Sequence, residues 1–337
     1  MAGMPPYRLG FAVKVLGDGG LKSHDGRRWQ NEPSLAVSLA LLDTIFDYLD
    51  TNDLRVYRMS SSTVPYGTHP DLPQLDYRRQ IGAAAERLES TGAKARRYGL
   101  RLSTHPGQYT RLNAAGDEVA RKAALDVEQD AALLDALGTG PEGVVVVHVG
   151  GVYGDRASAL ERWVRAYERL SARARGRLAV EHDETDFDLA ETLWLHERTG
   201  VKVVYDHHHH RCNRATAYGS DADAVAAAYR TWPEGVRPKV HVSSPRTELR
   251  VVRRRVKGER GVREVLAPPM LDQHADFATP WDVLDVLGAA PGPVDVVVEA
   301  KAKDVAVRWL REQLARVDPA AAAAEERGRA RAQRTTR

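Results

Sequence analysis

Cysteine is nearly missing from this 337-residue sequence: Cys212 stands alone, which excludes an intramolecular disulfide framework and a cysteine-rich zinc module. No run of eighteen apolar residues occurs, so no membrane-spanning helix is predicted. The opening stretch MAGMPPYR has no apolar segment of the secretory kind, and the expected setting is cytoplasmic with no membrane partner. A large charge of one sign is also lacking. With 49 Lys and Arg against 46 Asp and Glu the net charge is +3, so any basic surface must be local. The glycine-rich segment Gly17–Trp29 lacks the Gly-Lys-Ser/Thr ending that a phosphate-binding loop requires. What is present is globular material, 43% hydrophobic and 28% charged, enough for a large core.

Short β-branched runs recur at Leu9–Val15, Leu54–Met59, Arg101–His105, Val144–Val149, Leu178–His182, Val201–Asp206, Pro238–Ser243 and Asp295–Glu299. Amphipathic stretches separate them: Pro33–Tyr48, Gln80–Tyr98, Glu118–Leu137, Ala157–Arg175, Leu189–Thr199 and Ala222–Thr231. Strand–helix alternation calls for parallel strands, because each helix serves as a crossover. Eight such units predict a single α/β domain, a (β/α)8 TIM barrel over residues 7–317, with a doubly wound open sheet as the structural alternative. Two segments break the alternation. Leu249–Val265 reads as a basic insertion before the last strand, a hairpin about Gly258. Residues 318–337 form an alanine- and arginine-rich tail expected to be disordered.

The chemistry lies where predicted strands end. His105, His148, Glu181, Asp206 and Glu299 close five strands, and His241 lies in the seventh. In a barrel these ends converge on the face where active sites are built. Six ionisable groups buried together without a counter-charge would be strongly unfavourable. Bound divalent cations resolve the conflict, since imidazole and carboxylate are their ligands. His207–His210 continues directly from Asp206, so part of that run is assigned to the site. His24 and His196 read as ordinary surface histidines, and Cys212 as a small buried residue, not a nucleophile.

The motifs carrying these residues resemble those of the UV damage endonucleases, metal-dependent repair nucleases on a barrel related to xylose isomerase and endonuclease IV. They are Tyr57–Pro65 (YRMSSSTVP) with Thr68-His69-Pro70, Ser103–Tyr109 (STHPGQY), His148–Gly154 (HVGGVYG) and Val180–Asp183 (VEHD). Asp206–His209, Lys239–Pro245 (KVHVSSP), His274-Ala-Asp276 and Val298–Lys301 (VEAK) follow in the same order. The set spans residues 9 to 301 and is specific as a set; a lone His-Pro-Gly would carry nothing.

The resemblance implies up to three divalent metal ions, manganese first, with zinc, cobalt or magnesium as alternatives. It assigns as ligands His69, His105, His148, Glu181, Asp206, His209, His241, His274 and Glu299, of which His69 and His274 rest on it alone. His208 competes with His209, because it shares the face of Asp206 if the strand continues. Metal ions would neutralise phosphate charge and activate the water that attacks the phosphodiester. The implied reaction is incision 5′ to pyrimidine dimers and 6-4 photoproducts in double-stranded DNA, by a monomer with no obligatory protein partner. Gln108 and Tyr109 match the family's damage-probing pair. Lys239 sits two residues before His241 and so shares its face; the resemblance implies a carboxylated lysine there. Arg253, Arg254, Arg255 and Lys257 are expected to contact DNA phosphates. Departures are Lys14 where the family often has asparagine, His182 beside Glu181, and the long basic insertion. They leave open a barrel repurposed for another phosphoester or a small molecule. A non-catalytic DNA-binding protein is disfavoured by the metal ligands.

Overall fold

The valine-rich runs form strands buried on both faces, as parallel strands covered by helices must be. The computed structural model describes residues 5–107, 109–255 and 261–334. Its strands are β1 (Tyr7–Ala12), β2 (Val56–Arg58), β3 (Arg101–Ser103), β4 (Val145–His148), β5 (Leu178–Glu181) and β6 (Lys202–Asp206). There follow β7 (Lys239–Val242), β8 (Pro245–Arg246), β9 (Arg250–Arg254), β10 (Arg263–Ala267), β11 (Met270–His274) and β12 (Val294–Val298). Eight of them form one sheet in the order β3-β2-β1-β12-β7-β6-β5-β4. Its two ends meet where Thr104 bridges Val145: the Thr104 N–H donates to Val144 O (3.1 Å) and the Val146 N–H to Thr104 O (3.0 Å). One bridge thus completes the ring, and the chain is a TIM barrel, not an open sheet.

Helix boundaries follow local chemistry. Leu189–Thr199 begins at a capping box formed by Asp188 and Glu191 and ends at Gly200, whose φ of 73° suits glycine. The predicted stretch Gln80–Tyr98 divides into Tyr77–Ala83 and Ala85–Arg97. Ala157–Arg175 divides as well, because Ser171 caps a new helix, Ala172–Arg177, by accepting from the Ala174 N–H.

The tail corrects an expectation. Pro319–Arg334 is a helix, not a disordered segment, and buries Ala321, Ala324, Glu325 and Gly328. This spacing of three and four residues makes one narrow face. A Cβ on Gly328 would collide with the Tyr7 carbonyl of β1, so only glycine permits the approach. Glu325 pairs with Arg311 (2.9 Å). The basic insertion is the antiparallel hairpin β9–β10, set between β7 and β12, with β8 paired to β11 at its root. The turn predicted about Gly258 lies outside the described residues. Among the described residues no helix is long and apolar enough to cross a membrane.

Candidate metal centre

Parallel pairing brings the strand ends into one ring. In register, His148 of β4 faces Glu181 of β5, and Asp206 of β6 faces His241 of β7. Glu181 is the hub. One of its oxygens lies 3.2 Å from His105 Nε2; the other lies 2.9 Å from His241 Nδ1 and 3.4 Å from His209 Nδ1. Ligand atoms of His105, His148 and Glu181 fall within 4.8 Å of one another, as do those of Glu181, Asp206 and His241. Glu299 extends the group, 3.4 Å from His241 and 3.5 Å from His274 Nε2.

After Asp206 the strand does not continue. Residues His207–Cys212 form a helical turn, started by the Asp206 carboxylate accepting the His209 N–H (2.8 Å). The turn carries His209 to Glu181 and Glu184, while both His208 and His209 lie against the His274 ring.

Two tests show that these residues fit a divalent cation. The first is tautomeric. His105 Nδ1 donates to Pro106 O (2.9 Å) and His209 Nδ1 to His182 O (3.0 Å), the arrangement that fixes a metal-binding imidazole. His105 Nε2 then turns a lone pair toward the Glu181 carboxylate, and burial holds this histidine below its ordinary pKa, against protonation. A cation between the two removes the repulsion. The second test is satisfaction: His148 Nδ1, His241 Nε2 and Asp206 Oδ2 are buried without a hydrogen-bond partner.

The charge balance agrees. Burial opposes ionisation of Glu181, yet His241 and His148 hold it well below the usual carboxylate range. Burial likewise opposes ionisation of Glu299, and the Arg58 guanidinium beside it prevails. Burial works against a charged His209 too, but Asp206 and Glu181 push it well above the ordinary histidine value. The carboxylates therefore call for positive charge, which protonated His209 or a cation supplies.

Several contributors were not visible in the sequence. Arg58 ion-pairs with Glu299, Ser243 Oγ meets His274 Nδ1 at 2.6 Å, and Ser103 accepts from Lys239. Lys239 is fully buried, and burial with Arg101 and Arg58 nearby depresses its ammonium strongly. His182 is buried, pushed down to about 3 by burial and by His209, and accepts the Asp206 N–H.

Other predicted residues lie outside the cluster. His69 is exposed in the loop after β2, with its contacts to Tyr66 and to the Asp71 N–H inside that loop. Tyr109 stands 78% exposed four residues beyond His105; Gln108 lies outside the described residues. Arg253, Arg254 and Arg255 are exposed on the hairpin, and Lys257 lies outside the described residues. Cys212 is exposed, not buried as expected, because the helical turn ends there with its Sγ beside His208 (3.9 Å). His24 and His196 are half-buried, and His196 Nδ1 donates to Val201 O.

The sequence profile of the UV-endonuclease UvdE family matches residues 36–326. The UV DNA damage endonuclease of Bacillus pumilus (strain SAFR-032) is 30% identical over 301 residues, covering 88% of this chain and 86% of its own. That of Bacillus velezensis is 32% identical over 274 residues, covering 80% and 78%. Among solved structures, SacUVDE superposes with a TM-score of 0.74 at 23% identity over 93% of this chain and 99% of its own. The 3-keto-D-glucoside 4-epimerase YcjR from E. coli gives 0.52 at 11% identity, covering 91% and 99%. The structural likenesses speak for the fold.

Proposed function

The chain belongs to the UV-endonuclease UvdE family, and on that premise we propose that it is a metal-dependent DNA-repair endonuclease incising 5′ to UV photoproducts. The observation that carries the reading is the Glu181-centred ring of imidazoles and carboxylates with its orphaned buried polar atoms. Divalent cations held there, manganese first, would neutralise phosphate charge and lower the pKa of a bound water.

The chain's own groups prepare that site. Backbone carbonyls orient His105 and His209, Ser243 orients His274, and Arg58 holds Glu299. His69 joins as a ligand only if its loop closes over the mouth. Lys239 is buried with a hydroxyl as neighbour and no carboxylate partner, a setting that favours a neutral amine and hence the carbamate formed with CO2. Native mass spectrometry showing one added CO2, lost in Lys239→Met, is the check; an unmodified lysine would refute it.

Damage recognition is assigned to the loop after β3. Tyr109 is exposed to solvent four residues after His105, as a side chain that wedges between bases must be, with Gln108 beside it in sequence. The hairpin β9–β10 springs from β7, which carries His241, and returns through β11, which carries His274. Arg253, Arg254 and Arg255 are thus tethered to the metal face, where phosphates would lie; Lys257, the fourth expected contact, lies outside the described residues. The decisive experiment is purified protein with Mn2+ on supercoiled plasmid, irradiated against unirradiated. Nicking of irradiated DNA only, abolished by EDTA, is expected. Metal binding without nicking would favour the repurposed barrel.

A further inference from the structure

The end of the barrel opposite the metals holds an unexplained concentration of arginine. A cavity of about 690 Å3 opens there between the end of helix Ala85–Arg97, the start of β3, the Gly235–Arg237 loop and Ala332 of the C-terminal helix. Arg8, Arg96, Arg97, Arg101 and Arg237 line it, with Glu142 the one lining carboxylate. Behind them Asp295 alone serves three guanidiniums: Arg8 at 2.5 Å, Arg101 at 2.7 Å and Arg237 at 3.3 Å. A plug that merely sealed the barrel would need about one carboxylate per guanidinium, because uncompensated buried charge is costly. Here positive charge exceeds negative.

Arg101 makes the point most sharply. It is 1% exposed and lies over the Trp232 ring; its Nε donates to Glu142 O (3.0 Å), its Nη1 to Arg237 O and Asp295, and among the described residues its Nη2 has no hydrogen-bond partner. Burial holds both Arg101 and Arg237 below their usual range despite Asp295, which fits a group waiting for further negative charge. An adjoining cavity of about 390 Å3 shares Gly235, Val236 and Arg237 and is bordered by Arg331 of the C-terminal helix. A cavity of several hundred Å3 suits a small molecule better than a lone ion.

We propose that this floor is a binding site for a small polyphosphate-bearing anion, held by Arg97, Arg101 and Arg237. Guanidinium forks match phosphate oxygens in pairs, and several aimed at one cavity favour adjacent phosphates over a single carboxylate. The anion would join the starts of β1 and β3 (Arg8, Arg101) to the Gly235–Arg237 loop beside Ala332 of the C-terminal helix. The site lies at the opposite end of the strands from the metal face, and Arg97 and Arg237, the residues varied to test it, have no role in the reaction proposed there.

Pyrophosphate and dADP are the probes, titrated calorimetrically into the full-length, metal-loaded protein at about 150 mM NaCl, where surface charge is largely screened. Any anion captured by the metals is common to all variants, so the comparison with Arg97→Ala and Arg237→Gln isolates the floor. Arg97 is exposed, so its loss does not threaten folding. The expected result is a binding event that weakens roughly tenfold in each variant and further in the double variant, with nicking in phosphate-free buffer unchanged. dADP binding tighter than pyrophosphate would identify a nucleotide; equal binding would identify the phosphates alone. No binding to the parent, or equal affinity in parent and variants, would overturn the proposal.

Discussion

Ser243 shows how much of the centre depends on residues that bind nothing themselves. Its hydroxyl lies 2.6 Å from His274 Nδ1 and fixes which nitrogen that ring presents to Glu299. Removing partners of this kind costs about 10–100-fold in metal affinity or activity. Ser243→Ala is therefore expected to lower metal affinity by that factor with an unchanged circular dichroism spectrum; unaltered affinity would assign the serine to packing. Tyr109 belongs to the same scale. If it replaces the stacking that disappears when damaged bases leave the helix, Tyr109→Ala should keep full metal content and lose about 1–3 kcal/mol of discrimination between irradiated and intact duplex. A substrate opened around the lesion by mismatches should restore much of the cutting. Equal defects on closed and opened substrates would place Tyr109 in site assembly.

The residues legible in the sequence were those whose chemistry is unusual for their position: a carboxylate or imidazole ending a valine run is conspicuous. Arg58, Ser103 and Ser243 were not, because an arginine or serine near a strand end is unremarkable until its partner is known. His207–His210 shows the same limit. Four identical residues carry no register, and it is the Asp206 cap that turns them into a helix and brings His209 beside Glu181.

At the scale of elements, the barrel strands were readable because most are short β-branched runs set between helical stretches, with β1 (YRLGFA) and β3 (RLS) carried by the regularity of the alternation. The tail was not. Its arginines dominate the composition, whereas its docking depends on the small residues Ala321, Ala324 and Gly328, which carry little hydrophobic signal. Gly328→Val would force a side chain against the Tyr7 carbonyl, an overpacking that costs about 1–3 kcal/mol. The expected outcome is a lower urea midpoint and faster proteolytic trimming after the tail arginines, with the barrel otherwise native. A variant as stable and as resistant as the parent would show that the helix contributes little. The hairpin is tested by salt. Replacing Arg253, Arg254 and Arg255 with Gln should reduce the slope of log K against log salt on duplex DNA by roughly 0.9 for each phosphate no longer neutralised. An unchanged slope would leave the three as a solvated face, the usual condition of a charge run.

The whole molecule is a ring with a seam. Among the described residues seven of the eight strand junctions are ladders, but β3 and β4 are joined by the Thr104–Val145 bridge alone. His105 follows that bridge and His148 ends the strand on its other side, so an ion gripped by both would work as a clasp across the slit. Breathing of the seam and escape of the ion would then be one event, and slow amide exchange would gauge metal occupancy. At metal concentrations about 100 times the dissociation constant the clasp would be worth roughly 2.7 kcal/mol. The Thr104 and Val146 amides should then exchange on the order of a hundredfold more slowly, while those of β1 and β12, remote from the seam, change little. Uniform slowing across the barrel would mean that the ion holds the fold together as a whole, and no slowing would mean that it leaves without the wall opening.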